Sequence, residues 1–169
     1  VISLASGSGE VQKEGLLCHA QHCLVKLPEL VIREEVKTAS PEIYEKTLLN
    51  SVNVSAWELM MPRREPRIRK QLNEIMRTEA PISRSLLSSR IFNAYGILRK
   101  TARLIEWMDG ILDKTPYYKQ EIDGLVFYWN TKEEADSYTG FRIDSKREAV
   151  DLPPREVANA ARNILEQQV

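Results

Sequence analysis

The chain has 169 residues, 43% hydrophobic and 28% charged, a composition that suits one globular domain with an extension. Its 24 basic and 24 acidic side chains cancel, which removes the simplest argument for nucleic acid, and no apolar run is long enough to span a bilayer. Two cysteines exclude a disulfide scaffold, and with no basic, apolar export signal at the start the expected compartment is the reducing cytoplasm.

The first residue is Val1 rather than Met, so the chain reads as a piece of a longer or processed protein. Residues 1–15 are small and polar, with Gly7, Gly9 and Gly15, and read as a tail. The "GSG" there lacks the Lys-Ser/Thr of a phosphate loop. Cys18, His19, His22 and Cys23 in "CHAQHC" are all ligand types. On a helix the histidines share a side while the cysteines diverge, and no second ligand pair exists, so no metal site is expected. "CLVKLPELVI" is short and apolar with an internal proline, more strand or irregular than helix. Glu35-x-Lys37 matches half of a restriction-nuclease signature, but residues 1–34 contain no Asp, so a surface strand is the better reading. Ser40 as cap, Pro41 at the first helical position and Ile43, Thr47 and Leu48 along one side predict a helix. Residues 1–61 together read as tail and lead-in, and residues 62–169 as the domain proper.

Periodicity is clearest from Pro66. Ile68, Leu72, Ile75 and Met76 line one helical face, and Pro81 forbids continuation. Ala80-Pro81-Ile82 is an extended crossing. Ser83 caps a second helix whose apolar side is Leu86, Leu87, Ile91 and Tyr95, with Gly96 as its stop. A third helix, from about Leu98 to Leu112, is expected to bury Leu98, Ala102, Ile105, Met108 and Leu112. Asp123-Gly124, flanked by aromatic and β-branched residues, is a strong hairpin signal. At strand spacing some of Tyr117, Tyr118, Phe127, Tyr128 and Trp129 must face the core. "SYTGFRIDSKREAV" reads as loop with a strand. The closing "DLPPREVANAARNILEQQV" is a helix, with Asp151 as cap and Val157, Ala161, Ile164 and Leu165 facing the core. Helix, short strand, helix, helix, hairpin is the order of a winged helix-turn-helix, here mainly α with a small β-hairpin, an N-terminal extension and a C-terminal helix.

Charge is unevenly placed along this order. Residues 62–103 hold eleven bases and three acids, while residues 1–61 and 104–151 are net acidic. Such asymmetry is what an electrostatic footprint for phosphate requires. The candidate interface places Arg99, Lys100 and Arg103 on the third helix, Arg84, Ser85 and Ser88 on the second, and Arg67, Arg69 and Lys70 on the first. Against it stand the acidic hairpin tip (Glu121, Asp123) and Glu106 on the third helix. With both histidines confined to residues 19 and 22, and no nucleophile beside a base, no catalytic site and no cofactor is expected.

The run Glu79-Ala80-Pro81-Ile82, the Arg90-Ile91 pair, Gly96, the basic Arg99 and Arg103, and Leu152-Pro153-Pro154-x-Glu156-Val157-Ala158-x-Ala160 together resemble a known pattern. It is that of a domain of unknown function near the C-terminus of very large bacterial helicase-like proteins. The resemblance covers about residues 66–165, its ending being the more specific half; that family often has Gly where this chain has Ala80. It implies an accessory module beside a superfamily 1-type ATPase and, often, an endonuclease-like domain, with no chemistry of its own. The expectation is a non-catalytic module contacting mainly DNA phosphates. The alternative is a protein-interaction module docking on a partner ATPase or nuclease through an apolar patch around Trp57, Met60 and Met61.

Overall fold

The computed structural model describes residues 41–143 and 146–167. The Cys/His cluster, the Glu35-x-Lys37 pair, the glycine-bearing tail and the apolar run before residue 33 lie outside the described residues.

The expected helix after Ser40 is not formed. Pro41–Ile43 is a strand, β1, paired in parallel with a distant strand, Phe141–Ile143. The next residues are spent on a buried carboxylate: the Tyr44 hydroxyl and, at 3.0 Å, the Thr47 amide both donate to Glu79. Leu48 is left 96% exposed, so the segment has no apolar helical face to bury. Val52 and Val54 amides then donate to the carbonyls of Ala94 and Tyr95. A short helix, α1 (Ala56–Leu59), is capped by Ser55 and drives Leu59 fully into the core. Residues 44–61 thus wrap the same core as the residues that follow.

After a 3-10 turn at Pro62–Arg64 comes α2 (Glu65–Glu79). Ile68, Leu72, Ile75 and Met76 are completely buried, as their spacing predicts. Burial of each such side chain is worth about 1.5–3 kcal/mol. The crossing at Ile82–Ser83 is a two-residue strand, β2. Ser83 Oγ accepts from the Leu86 amide at 3.0 Å and starts α3 (Arg84–Ala94). Leu87, Ile91 and Tyr95 are buried with Phe92, while Leu86 is only partly covered. Gly96 has φ +71°, and a Cβ there would collide with the Asn53 side chain, so this stop needs glycine for two reasons.

The third helix differs from expectation. Its cap is Thr101, whose Oγ1 accepts from the Leu104 amide, and α4 spans Ala102–Leu112. Leu98 lies in the preceding loop, 89% exposed, and Ala102 and Ile105 are exposed as well. The buried stripe is Leu104, Met108, Ile111 and Leu112. Met108 and Leu112 are buried as expected, but the helix begins four residues later than Leu98, so Arg99 and Lys100 become loop residues.

The hairpin forms as predicted. β3 (Tyr118–Ile122) pairs antiparallel with β4 (Leu125–Trp129), Ile122 opposite Leu125. Asp123 and Gly124 have φ of 52° and 76°, the left-handed pair that a type I′ turn needs. β2 pairs with the other edge of β4, giving the order β2-β4-β3. Tyr128 faces the helical core, while Trp129 on the opposite side meets Tyr138 edge to face at 5.2 Å.

A short helix the sequence did not suggest, α5 (Lys132–Ser137), leads to β5 (Phe141–Ile143). A 3-10 turn at Ala149–Asp151 precedes α6 (Pro154–Gln167). This last helix attaches by its polar side. Glu156 and Asn159 are buried, whereas Val157, Ala161, Ile164 and Leu165, expected in the core, are exposed. Asp151 is no cap either: it accepts from Ser83 Oγ and pins the turn to β2. The described chain is therefore mainly helical with small sheets, and no described helix is long and apolar enough to cross a membrane.

Candidate nucleic-acid interface

The basic block divides sharply once side-chain partners are known. Arg64 pairs with Glu58 at 2.8 Å, Arg69 with Glu65 at 2.7 Å, Arg84 with Asp109, and Arg90 with Glu79 at 2.7 Å. Arg67, Lys70, Arg99 and Arg103 are exposed and make no hydrogen bond or ion pair among the described residues. Lys100 is exposed and donates only to Ser89 Oγ, at 2.5 Å. Free ammonium and guanidinium groups can neutralise phosphates; paired ones are already spent.

Arg84, Ser85, Ser88 and Lys100 come together on one cleft of about 480 Å³, between the start of α3, the loop before α4, α4 itself and the hairpin turn. Its floor is apolar, from Phe92, Ile105, Leu125 and Val126. The Arg84–Asp109 pair stands in its wall. Burial pushes the Asp109 carboxyl above its ordinary range, Arg84 pulls it back, and Asp113 adds to the rise. Ser88 is nearly buried, which limits it to a wall residue. Arg67, Arg69, Lys70, Arg99 and Arg103 do not line this cleft.

Arg99, Lys100 and Arg103 flank the N-terminus of α4, where unpaired backbone N–H groups and the helix dipole favour an anion. Thr101 sets that geometry by fixing where the helix begins. The acids noted in the sequence are exposed too: Glu106 on α4, Glu121 and Asp123 at the hairpin tip. The hairpin tip is thus a poor phosphate contact, and the positive side is the loop and first turn of α4.

The most elaborate polar arrangement is one that sequence reasoning missed. Glu79, fully buried, accepts from Tyr44, from the Thr47 amide and from Arg90 through Nε (3.1 Å) and Nη2 (2.7 Å). Glu156 accepts from Arg142 (2.9 Å) and Arg147 (2.5 Å), both almost fully buried. Arg142 also donates at 2.6 Å to the carbonyls of Glu79 and Pro81, tying the two carboxylates together. The Tyr44 ring lies 4.7 Å from the Arg147 guanidinium and 5.5 Å from that of Arg142. Burial alone raises the Glu156 carboxyl, but the hydrogen bonds from Arg147 and Arg142 outweigh it and hold it below its ordinary value. Burial and the Glu79 hydrogen bond raise the Tyr44 phenol. Glu79, Arg90 and Glu156 are residues that carry the family-like pattern. They serve the fold, joining α2, α3, β5 and α6, and are not available to a ligand.

Beside the first cleft a second depression shares Ser85 and Lys100 and adds Lys46 and Lys146, from outside the basic block. No group of three His, Cys, Asp or Glu residues able to hold a metal occurs among the described residues.

Residues 58–106 match the model of a family described as a protein of unknown function (DUF3320). That span runs from α1 through α2 and α3 into α4, and contains the nine candidate residues from Arg67 to Arg103, but not the hairpin side of the cleft. No curated protein matches the chain, and no solved structure does.

Proposed function

We propose that residues 62–169 form a winged helix-turn-helix, a non-catalytic nucleic-acid-binding accessory module of a helicase- or nuclease-containing cytoplasmic protein. The order α2, β2, α3, α4, β3, β4 supports this reading, with β2 and β3 on the two edges of β4. The observation that carries the binding is the set of exposed cations at the start of α4 that no carboxylate holds: Arg99, Lys100 and Arg103. Arg84 and Arg69 are already held by carboxylates, so the phosphate contacts of the proposed interface fall mainly on the exposed cations that no carboxylate holds. DNA is the expected partner, and the ATPase or nuclease neighbour rests on the family resemblance.

Fluorescence anisotropy with a labelled duplex and its single strand, at low and moderate salt, tests the reading. Affinity that falls steeply with salt supports it, because phosphate contacts release counterions. No binding at low salt, where non-specific attraction is greatest, contradicts it.

One observation favours the alternative of a docking module. Trp57 is 66% exposed, and the outer face of α6 presents Val157, Ile164 and Leu165 to solvent. Exposed large apolar groups of this kind suit a partner protein surface. Met60 and Met61, by contrast, are partly covered, and Met60 packs against the core.

A further inference from the structure

We infer that Lys46 and Lys146, with Lys100 and Ser85, form a second phosphate-binding depression, so that a nucleic-acid strand runs along the exposed side of α3 as well as the start of α4. This rests on the nucleic-acid reading and deepens it. The depression has a volume of about 550 Å³ and collects its lysines from three separate segments: the stretch after β1, the loop before α4 and the approach to the second 3-10 turn. Lys46, Lys100 and Lys146 are exposed, and Lys46 and Lys146 make no hydrogen bond or ion pair among the described residues. The Ser85 hydroxyl, exposed on α3, is likewise unpartnered among the described residues and free to donate.

Charge and chemistry together select the occupant. Two carboxylates share the lining: Asp151 is held by Ser83, and Glu148 is exposed. Arg90 and Arg147 form part of the wall, but their guanidinium groups are engaged with Glu79 and Glu156. What faces a ligand is three ammonium groups, that of Lys100 also donating to Ser89, and a hydroxyl, against the one exposed carboxylate of Glu148 and with no free arginine fork. An arginine fork suits carboxylate and phosphate alike, and lysine binds phosphate as a point charge. Continuity with the cations at the start of α4, through the shared Ser85 and Lys100, favours a phosphodiester strand over an acidic peptide. Because Ser85 and Lys100 also line the first cleft, one strand can cross from one depression to the other over them.

The test uses the full chain and a labelled duplex across a salt series, comparing wild type, K46A/K146A and R99A/R103A, with thermal melting as the check on folding. The lysine pair is expected to weaken binding about tenfold at low salt and to reduce the salt slope by about 2, roughly one per lost phosphate contact. Unchanged affinity and slope in K46A/K146A, alongside weakened binding in R99A/R103A, would overturn the second depression and leave the proposed function standing. No salt-sensitive binding by wild type would overturn both. Displacement of the duplex by a poly-glutamate peptide as readily as by unlabelled duplex would overturn the assignment to a phosphodiester strand.

Discussion

Two sets of arginines in this molecule look alike in sequence and differ in every physical respect. Arg90, Arg142 and Arg147 lie inside, each held by a buried carboxylate, and Arg142 also binds two backbone carbonyls. Arg99 and Arg103 lie outside, with no partner among the described residues. The inner set is compensated and committed, and removing one partner strands a charge in a low-dielectric interior. The outer set costs the fold almost nothing and keeps its charge for something else. A basic block is therefore not one functional unit. Within residues 62–103 the buried Arg90 ties α3 to the carboxylate of α2, while the unpaired members keep their charge exposed.

Removal of inner carboxylates should show the largest effect. Glu156→Gln leaves Arg142 and Arg147 buried without their counter-charge, and should cost about 5 kcal/mol by urea unfolding, the upper end for a broken buried pair. The same carboxylate gives the fold an acid limit. Its folded pKa is below the unfolded one, so its stabilisation is complete above the ordinary value of about 4.3 and is lost as pH falls below it. A wild-type stability that stayed flat between pH 5 and pH 3 would contradict that account. Arg90→Ala should cost about 3 kcal/mol, at the lower end because Tyr44 and Thr47 still donate to Glu79. A variant E79Q/R90M that recovers stability relative to R90A would sharpen the point, since it removes both charges.

Thr101→Ala lies between the two regions. Loss of this cap should cost about 1 kcal/mol and loosen the first turn of α4 that carries Arg103, so stability and duplex affinity should both fall modestly. Equal affinity with reduced stability would separate the helix start from the binding face. The smallest stability effect is expected for R99A/R103A, within about 0.5 kcal/mol of wild type, because both side chains are exposed and unpaired.

Local rules served the sequence reading well where contacts are local. The stripe Ile68, Leu72, Ile75 and Met76, the Ser83 cap, Gly96 and the Asp123-Gly124 turn all depend on residues a few positions apart, and all are found. β1 could not be foreseen, because its partner lies about 100 residues away and its helix-like cap signal competes with that pairing. The attachment of α6 was missed for a related reason. Its apolar side looked like the packing side, yet Glu156 is drawn in by two arginines, and Asn159 donates to the carbonyls of Tyr138 and Gly140. Of the candidate interface, the free cations and the cleft-lining Arg84, Ser85, Ser88 and Lys100 were legible as types. Which arginines were already paired was not, since Glu79 and Arg90, or Arg84 and Asp109, meet only in three dimensions. Lys46 and Lys146 stood outside the basic block and carried no local signal.

The division between committed and free arginines is tested most directly by the salt dependence of duplex binding in R99A/R103A against wild type, with melting measured on the same samples. An unchanged melting temperature, weaker binding and a salt slope smaller by about 2 are expected from that division. Equal slopes and equal affinities in the two proteins would contradict it, and the cations at the start of α4 would then not be the binding face.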